Sequence, residues 1–186
     1  TPRRHPESLT YHVMFRGNNR MTIFYDDADR RRLLRCLKHA AQGRGWTWFA
    51  YCLMDNHVHC VVRTQELDLG DGFRDAISGY ARIFNKRYGR SGHVFSERFR
   101  AVGVEDDAQL LTTIRYVALN PVRAGLVEDP FDWSWSSYAA LLSGTTAVDC
   151  GPDVSTLELF HPLPGRALQQ LHQFVVAESD RQRPSV

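Results

Sequence analysis

The chain has 186 residues, of which 43% are hydrophobic and 24% are charged, and its formal net charge is +2. This length and composition predict one domain with a sizeable core, or a domain with an appendage. The sequence shows no internal repeat and no low-complexity tract. No apolar stretch is long enough to span a membrane and no signal-peptide pattern is present. The four cysteines lack a Cys-x-x-Cys spacing and suggest neither a zinc site nor a disulfide framework. Cys52 and Cys60 fall in predicted core strands, where a free thiol behaves as a small apolar group, so we expect a reducing cytoplasm.

Charge is distributed unevenly along the chain. Residues 1–45 hold ten Arg and Lys against four acids, and residues 74–100 hold seven against two. Residues 101–186 reverse the balance, with five basic residues against eleven acidic ones. This asymmetry favours a polyanionic partner on part of the surface, although ordinary solvated helix faces would give the same pattern.

Hydrophobic periodicity alternates between that of strands and that of helices along the first 120 residues. Turn residues and aspartates suited to helix capping mark the boundaries. A proline is expected to end the last of these helices, because it disfavours helix at the residue before it. In chain order we predict a strand over 9–16, a helix from Asp26 or Asp27 to about Gly43, strands over 46–53 and 57–64, a helix over 69–88, a strand over 98–104, and a helix from Asp106 or Asp107 to Asn120-Pro121.

This order predicts an α+β fold, in which helices pack on an antiparallel sheet as in the ferredoxin-like split βαβ arrangement. The two closely spaced strands should form a hairpin. Residues 130–142, rich in Trp and Ser, should form an ordered cap. We therefore divide the chain into a domain over 1–142 and a C-terminal extension over 143–186. The extension is predicted to be a loop over 143–163, a helix over 166–177 and a disordered end.

Two pairs of residues could carry chemistry. His57 and His59 lie two apart in an apolar strand, so both imidazoles project to one face and can share a divalent metal. Tyr116 and Asn120 lie four apart on one side of a helix, nearly opposite its apolar stripe. Together they would suit metal-assisted attack on a phosphodiester. The residues alone also allow hydrogen-bonded core histidines, an interfacial tyrosine and an asparagine that only ends a helix.

Several segments also occur together, in order and at matching spacing, in a known family. They are 11–18 (YHVMFRGN), 23–27 (IFYDD), 53–59 (LMDNHVH), 84–88 (FNKRY), 92–95 (GHVF), 116–127 (YVALNPVRAGLV) and 135–138 (WSSY). On these segments the chain resembles the REP-associated tyrosine transposases, a bacterial branch of the HUH single-tyrosine transposases.

The resemblance implies an HUH-type transposase fold and an enzyme that cleaves and rejoins single-stranded DNA at REP hairpin repeats through a 5′-phosphotyrosine. Tyr116 would be the nucleophile. His57 and His59 would hold Mg²⁺ or Mn²⁺, with Asn120 at the place of the third ligand. The protein would act as a monomer or a homodimer on the DNA of the bacterial nucleoid.

Further residues are expected to contact DNA or to support the site. His12, on a neighbouring strand, is a weaker candidate that could support a metal ligand or contact DNA. Two positions depart from the family pattern, namely Asp55, where many relatives have Pro, and Ser96-Glu97 in place of Gln-Gly. The expected DNA contacts are Arg16, Asn18, Lys86, Arg87, His93, Arg98, Arg100 and Arg123.

Three other functions remain open on the sequence. The chain could be a regulatory protein that binds REP hairpins without cutting them. It could be a metal phosphodiesterase or RNA-processing enzyme that forms no covalent intermediate. It could also be a structural protein whose histidines belong to the core.

Overall fold

The computed structural model describes residues 7–96, 98–144 and 154–179, and a four-stranded antiparallel sheet lies at its centre. The strands lie in the order β2-β3-β1-β4, with every neighbouring pair antiparallel. This is the strand order of the split βαβ arrangement, so the predicted α+β fold is confirmed. The strands are β1 (Thr10–Arg16), β2 (Thr47–Leu53), β3 (His57–Arg63) and β4 (Arg100–Val104).

Helices cover both faces of the sheet. On one face, α1 and α2 bury a large aromatic and aliphatic core that includes Phe73, Tyr80 and Phe84. On the other face, α3 packs its apolar stripe of Leu110 and Ile114 against the sheet. The helices are α1 (Asp27–Ala41), α2 (Leu69–Arg87), α3 (Asp107–Ala118), α4 (Asn120–Arg123), α5 (Ser137–Ser143) and α6 (Pro164–Ser179).

Helices α1 and α3 begin at aspartate caps, as the sequence predicts. The Asp26 carboxylate accepts a hydrogen bond from the Asp29 backbone N–H at 3.0 Å and starts α1. The Asp106 carboxylate accepts one from the Gln109 N–H at 2.7 Å and starts α3. Each cap satisfies a backbone donor that the first helical turn leaves unpaired.

Strand β3 separates apolar residues from histidines by simple alternation. Val58, Cys60 and Val62 face α1 and α2 in the large core. His57 and His59 therefore point to the opposite face, where α3 lies. The predicted core positions of the two strand cysteines are confirmed, because both thiols are fully buried.

Pro121 does not end the helical path, which corrects the expectation from the sequence. Helix α3 ends at Ala118, and after Leu119 the chain enters the short helix α4 with Pro121 in its first turn. Proline is tolerated there because the first turn of a helix needs no backbone donor from it.

The C-terminal extension is more structured than predicted. Val154 pairs with Trp48 at the outer edge of β2, and a 3₁₀ helix follows over Thr156–Leu159, so the expected loop over 143–163 is wrong in this part. Helix α6 is confirmed, and it buries Leu171 and Val175 beside Tyr138. The expected disordered end lies outside the described residues. The boundary between domain and extension at 142/143 stays a prediction.

In the ranges that the structure describes, no helix is both long enough and apolar enough to cross a membrane.

Gly17 is required where β1 leaves the sheet. A Cβ atom at this position would lie 2.3 Å from the Met21 carbonyl oxygen and 2.7 Å from an Ile23 methyl carbon. Because backbone cannot move aside cheaply, Gly17→Ala should lower the free energy of unfolding by about 1–3 kcal/mol. Urea denaturation would measure this loss.

Gly79→Ala is the matched control, since a Cβ at this position in α2 meets nothing within 4 Å. Alanine has the higher helix propensity, so this variant should gain roughly 0.5–1 kcal/mol. Equal stability of the two variants would contradict the steric account of Gly17.

Candidate active site

Three histidines meet on the face of the sheet that α3 covers. Met14 lies opposite His59 in the pairing of β1 with β3, and His12 lies opposite Val61. His12 and His59 are therefore diagonal neighbours, and their rings stack with centroids 5.2 Å apart. The rings of His57 and His59 are 5.0 Å apart, so the predicted juxtaposition of these two side chains is confirmed.

Asn56 fixes the ring of His57. Its amide nitrogen donates to the Arg20 carbonyl at 3.1 Å, which turns the amide oxygen toward His57. That oxygen lies 2.7 Å from His57 Nδ1. An oxygen acceptor requires the proton on Nδ1, so His57 Nε2 carries a lone pair and is available as a ligand.

His12 holds the second imidazole in a similar way. His12 Nε2 lies 3.0 Å from His59 Nδ1, and one of the two nitrogens donates to the other. When His59 is the donor, its Nε2 is left with a lone pair. The prediction that His12 supports a neighbouring histidine fits this contact.

All three imidazoles favour the neutral form that a metal ligand requires. Burial, with a smaller contribution from the Arg16 charge, lowers the pKa of His57 to about 4. Burial and the neighbouring imidazoles lower the pKa of His59 to about 3. Burial and the charge of Arg100 also lower the pKa of His12. A protonated ring would carry a positive charge into a poorly solvated site already flanked by arginines.

Helix α3 brings Tyr116 to this cluster, although the two are separated by more than fifty residues in sequence. The tyrosine ring lies with its centroid 5.7 Å from that of His59 and 5.7 Å from that of His12. Its side chain is 38% exposed, so solvent and a substrate can reach it. Tyr116 lies off the apolar stripe of Leu110, Ile114 and Val117, as the helical spacing predicts.

Asn120 lies at the start of α4 and is nearly buried. Its amide nitrogen donates to the Tyr116 backbone carbonyl at 3.0 Å. This leaves the side-chain oxygen as its remaining acceptor, but the contact itself is with the tyrosine helix and not with a histidine. The role of Asn120 as a ligand stays a prediction.

The donor set fits a divalent metal. His57 Nε2 is available in the neutral form, and His59 Nε2 is available when His59 donates to His12. The amide oxygen of Asn120 is not used in its contact with the Tyr116 carbonyl and would be the third donor. In the part of the chain that the structure describes, no group of three or more His, Cys, Asp and Glu side chains is placed to hold a metal. A third ligand would therefore come from another residue type or from a bound substrate.

Basic side chains surround the histidines and Tyr116. Arg16 lies opposite His57 in the sheet register, and Arg100 lies opposite Met14 at the start of β4. The Arg123 guanidinium lies 4.9 Å from the centroid of the Tyr116 ring. Three of the expected DNA contacts are thus gathered at the site.

Two further expected contacts line a cleft beside α2. His93 and Arg98 lie in this cleft together with Arg74, and its volume is about 800 Å³. Backbone hydrogen bonds join the segment after β1 to this wall, because the Asn18 N–H donates to the Val94 carbonyl at 2.9 Å. Helix α2 packs on the face of the sheet opposite α3, and His12, His57 and His59 do not line this cleft.

Three expected contacts remain. Asn18 begins a 3₁₀ helix directly after β1, and Lys86 and Arg87 lie on α2, on the opposite face of the sheet from the histidines. Lys86 is exposed. Arg87 forms ion pairs with Asp26 at 2.5 Å and with Asp29 at 2.7 Å, which fasten the end of α2 to the start of α1. A contact of any of these three residues with DNA stays a prediction.

Comparison with known proteins identifies the family. The family model described as "Transposase IS200 like" matches residues 6–120, which is more than half of the chain. The chain belongs to the IS200-like transposase family.

This IS200-like transposase is also similar to two proteins whose names place them among the REP-associated tyrosine transposases. It is 31% identical over 101 residues to a protein of Haemophilus influenzae (strain Rd) assigned by its name to the REP-associated tyrosine transposases; the match covers 48% of this chain and 57% of the relative. The chain thus spans little more than half the length of that relative. A solved REP-associated tyrosine transposase bound to a REP hairpin has the same fold, with a TM-score of 0.65, 18% identity and coverage of 83% of this chain and 92% of the other. The resemblance seen in the motifs is confirmed.

Asp55, an expected departure from the family pattern, has a charged partner in the structure. Its carboxylate lies 2.6 Å from an Arg30 guanidinium nitrogen. The same guanidinium lies between the Phe24 and Trp135 rings, 5.3 and 5.4 Å from their centroids. This contact holds the turn that carries Asn56. No supporting role of Asn56 was predicted, and its place directly before the candidate ligand His57 is the sequence signal that could have indicated one.

The buried histidines predict the pH dependence of stability in metal-free buffer. The pKa values of His57 and His59 are lower in the folded protein, about 4 and 3, than the ordinary value of 6.5. The unfolded chain therefore binds more protons below pH 6.5, and the free energy of unfolding should fall as pH is lowered from about 6.5 toward 4. Urea denaturation at several pH values measures this slope.

His59→Gln should make that slope shallower, because the group that takes up a proton on unfolding is removed. His39→Gln, which removes an exposed histidine of α1, is the matched control and should keep the slope of the unmodified protein. A slope unchanged in His59→Gln would show that His59 is protonated to the same extent in both states.

Proposed function

We propose that this protein is a DNA strand transferase that cleaves and rejoins single-stranded DNA next to REP-type hairpins, with Tyr116 as the nucleophile. The observation that carries the proposal is the contact of the Tyr116 ring with the rings of His12 and His59, in the same chain. A tyrosine that is accessible, off the apolar stripe and beside two neutral histidines has the surroundings that attack on a phosphate requires.

The reaction proceeds by exchange of phosphodiester bonds. The Tyr116 oxygen forms a bond to the scissile phosphorus, and the bond from that phosphorus to the 3′-oxygen breaks. The phenol loses its proton, and the departing 3′-oxygen takes one up, so nothing is oxidised or reduced. The 5′-phosphotyrosine conserves the phosphodiester, and a second 3′-hydroxyl can attack it to rejoin DNA without a nucleotide cofactor.

His57, His59 and Asn120 would hold a divalent ion, Mg²⁺ or Mn²⁺. Such an ion, when bound, would polarise a non-bridging oxygen of the scissile phosphate. Asn56 and His12 keep the ligand nitrogens of the two histidines oriented. Since no acid is part of this ligand set, the DNA phosphate would supply the negative charge, and metal affinity should be weak without DNA.

Hairpin DNA fits the charge distribution around the site. Arg16, Arg100 and Arg123 flank the histidines. His93 and Arg98 line a separate cleft beside α2. Phosphate contacts from such residues position a nucleic acid, and binding through them falls as salt is raised. The REP class of hairpin is proposed from the sequence motifs and from the named relative.

A covalent adduct tests the proposal directly. The protein should be incubated with Mg²⁺ or Mn²⁺ and a REP hairpin of its source genome that carries a single-stranded 5′ extension, and then run on a denaturing gel. A metal-dependent protein–DNA band is expected, and Tyr116→Phe should abolish it, because only the hydroxyl is removed.

Hairpin affinity of Tyr116→Phe, measured by fluorescence anisotropy, should stay within about threefold of the unmodified protein, because phosphate contacts supply most of the affinity. Binding without an adduct in the unmodified protein would favour the regulatory function. Cleavage without an adduct would favour a phosphodiesterase that uses water.

Asn56→Ala tests the support of His57. The alanine leaves Nδ1 without its acceptor, so the metal concentration for half-maximal adduct formation should rise about 10- to 100-fold. Asn56→Asp is the matched control, because it keeps an oxygen facing His57 Nδ1. Its metal concentration for half-maximal adduct formation should rise much less than that of Asn56→Ala. An equal requirement in the two variants would contradict the orienting role of the amide oxygen.

A further inference from the structure

The Arg123 side chain contacts the ring of Tyr116, which lies seven residues earlier in the chain. In one continuous α-helix these residues would be two turns apart, about 10 Å along the axis. Here the helix is interrupted at Leu119, and α4 follows as a separate turn. Across this break the Arg123 guanidinium reaches back to 4.9 Å from the Tyr116 ring centroid.

The break itself is fixed by backbone hydrogen bonds on both sides. The Leu119 N–H donates to the Arg115 carbonyl, and the Arg123 N–H donates to the Leu119 carbonyl, both at 3.0 Å. Pro121 lies in the first turn of α4, which begins at Asn120, and the left-handed Gly125 (φ 68°) ends the turn that follows α4. The position of Arg123 relative to Tyr116 is therefore set by ordered backbone.

The other surroundings of the Tyr116 ring restrict it weakly. His12 and His59 meet it at interplanar angles of 70° and 81°, as edge contacts on the side of the sheet. The side chain is 38% exposed, so packing alone does not hold the ring. A cation over an aromatic face is attractive, and the guanidinium group is planar and always charged.

We infer that Arg123 is a positioning residue, which holds the Tyr116 ring in its orientation toward the histidine site through the cation–π contact. This inference rests on the proposed function, in which Tyr116 is the nucleophile. It differs from the expectation that Arg123 only contacts DNA, because a positioning residue changes the rate of the covalent step when DNA is saturating, whereas a DNA contact changes affinity.

The test is adduct formation in a single turnover, measured over a range of hairpin concentrations with Arg123→Lys and Arg123→Met. Arg123→Met should reduce the rate at saturating DNA by roughly 10-fold, since a misplaced nucleophile loses rate steeply. Arg123→Lys keeps the charge without the planar group and should lose about threefold or less. The hairpin concentration for half-maximal rate should change by less than about threefold in both, because many phosphate contacts remain.

Arg115→Met is the matched control. Arg115 precedes Tyr116 on α3, and its guanidinium lies 4.5 Å from the Phe174 ring centroid, so this variant removes the same kind of contact from the same helix. Its rate at saturating DNA should match that of the unmodified protein. An equal loss in Arg115→Met and Arg123→Met would attribute the effect to loosening of the helix and overturn the inference.

Two other results would also overturn it. One is a higher hairpin concentration for half-maximal rate together with an unchanged rate at saturating DNA, which would make Arg123 a DNA contact. The other is no change in either quantity. An unmodified protein that forms no adduct would instead refute the proposed function, and with it any role of Arg123 in positioning a nucleophile.

The contact itself has a readout that does not depend on activity. Among the seven tyrosines, Tyr116→Phe identifies the ring signals of Tyr116 in protein with ¹³C-labelled tyrosine. Arg123→Met should shift these signals and leave those of the other six rings in place, which also reports that the variant is folded. Unshifted Tyr116 signals would contradict the cation–π contact.

Discussion

The antiparallel register between β1 and β3 is the constraint on which the rest of the site depends. It sets Met14 opposite His59 and His12 opposite Val61, so that imidazoles from two strands share one face of the sheet. Because side chains alternate along a strand, a slip of one residue would turn His57 and His59 into the apolar core and bring Val58 and Cys60 out. Burial of the apolar set on the α1 and α2 face therefore specifies the histidine face at the same time.

Helix α3 depends on the same register in a different way. The apolar stripe of α3 packs on Phe49, Ala50 and Val61, which share the face of the sheet with the histidines. Tyr116 therefore lies at the edge of this helix–sheet contact, beside His59. Exposure of the tyrosine and burial of the histidine are thus two results of one packing arrangement. The C-terminal segment reinforces it from outside, because Leu171 and Val175 of α6 pack near the end of α3.

The elements, the sheet order and the meeting of His57, His59 and Tyr116 could be predicted, since alternation, helical spacing and caps are local signals and the motifs supplied the long-range pairing. What could not be predicted depended on tertiary context. The break at Leu119 needs knowledge of what α4 packs against, because Pro121 is compatible with both a stop and a new first turn. The pairing of Val154 with Trp48 joins residues about a hundred positions apart and leaves no periodic signal in a segment rich in Gly, Pro and Thr.

Electrostatics links the histidine site to its proposed substrate. The imidazoles are kept neutral by burial and by neighbouring positive charge, of which Arg16 and Arg100 are sources. The same arginines leave an excess of positive charge around a ligand set that contains no carboxylate. A site of this kind is poorly suited to hold a metal on its own, because the charges of the ion and the arginines repel one another. A DNA phosphate would compensate this excess positive charge, because it attracts both the metal ion and the arginines. Metal and DNA should therefore bind cooperatively, and the complete site would form only when the strand to be cut is bound.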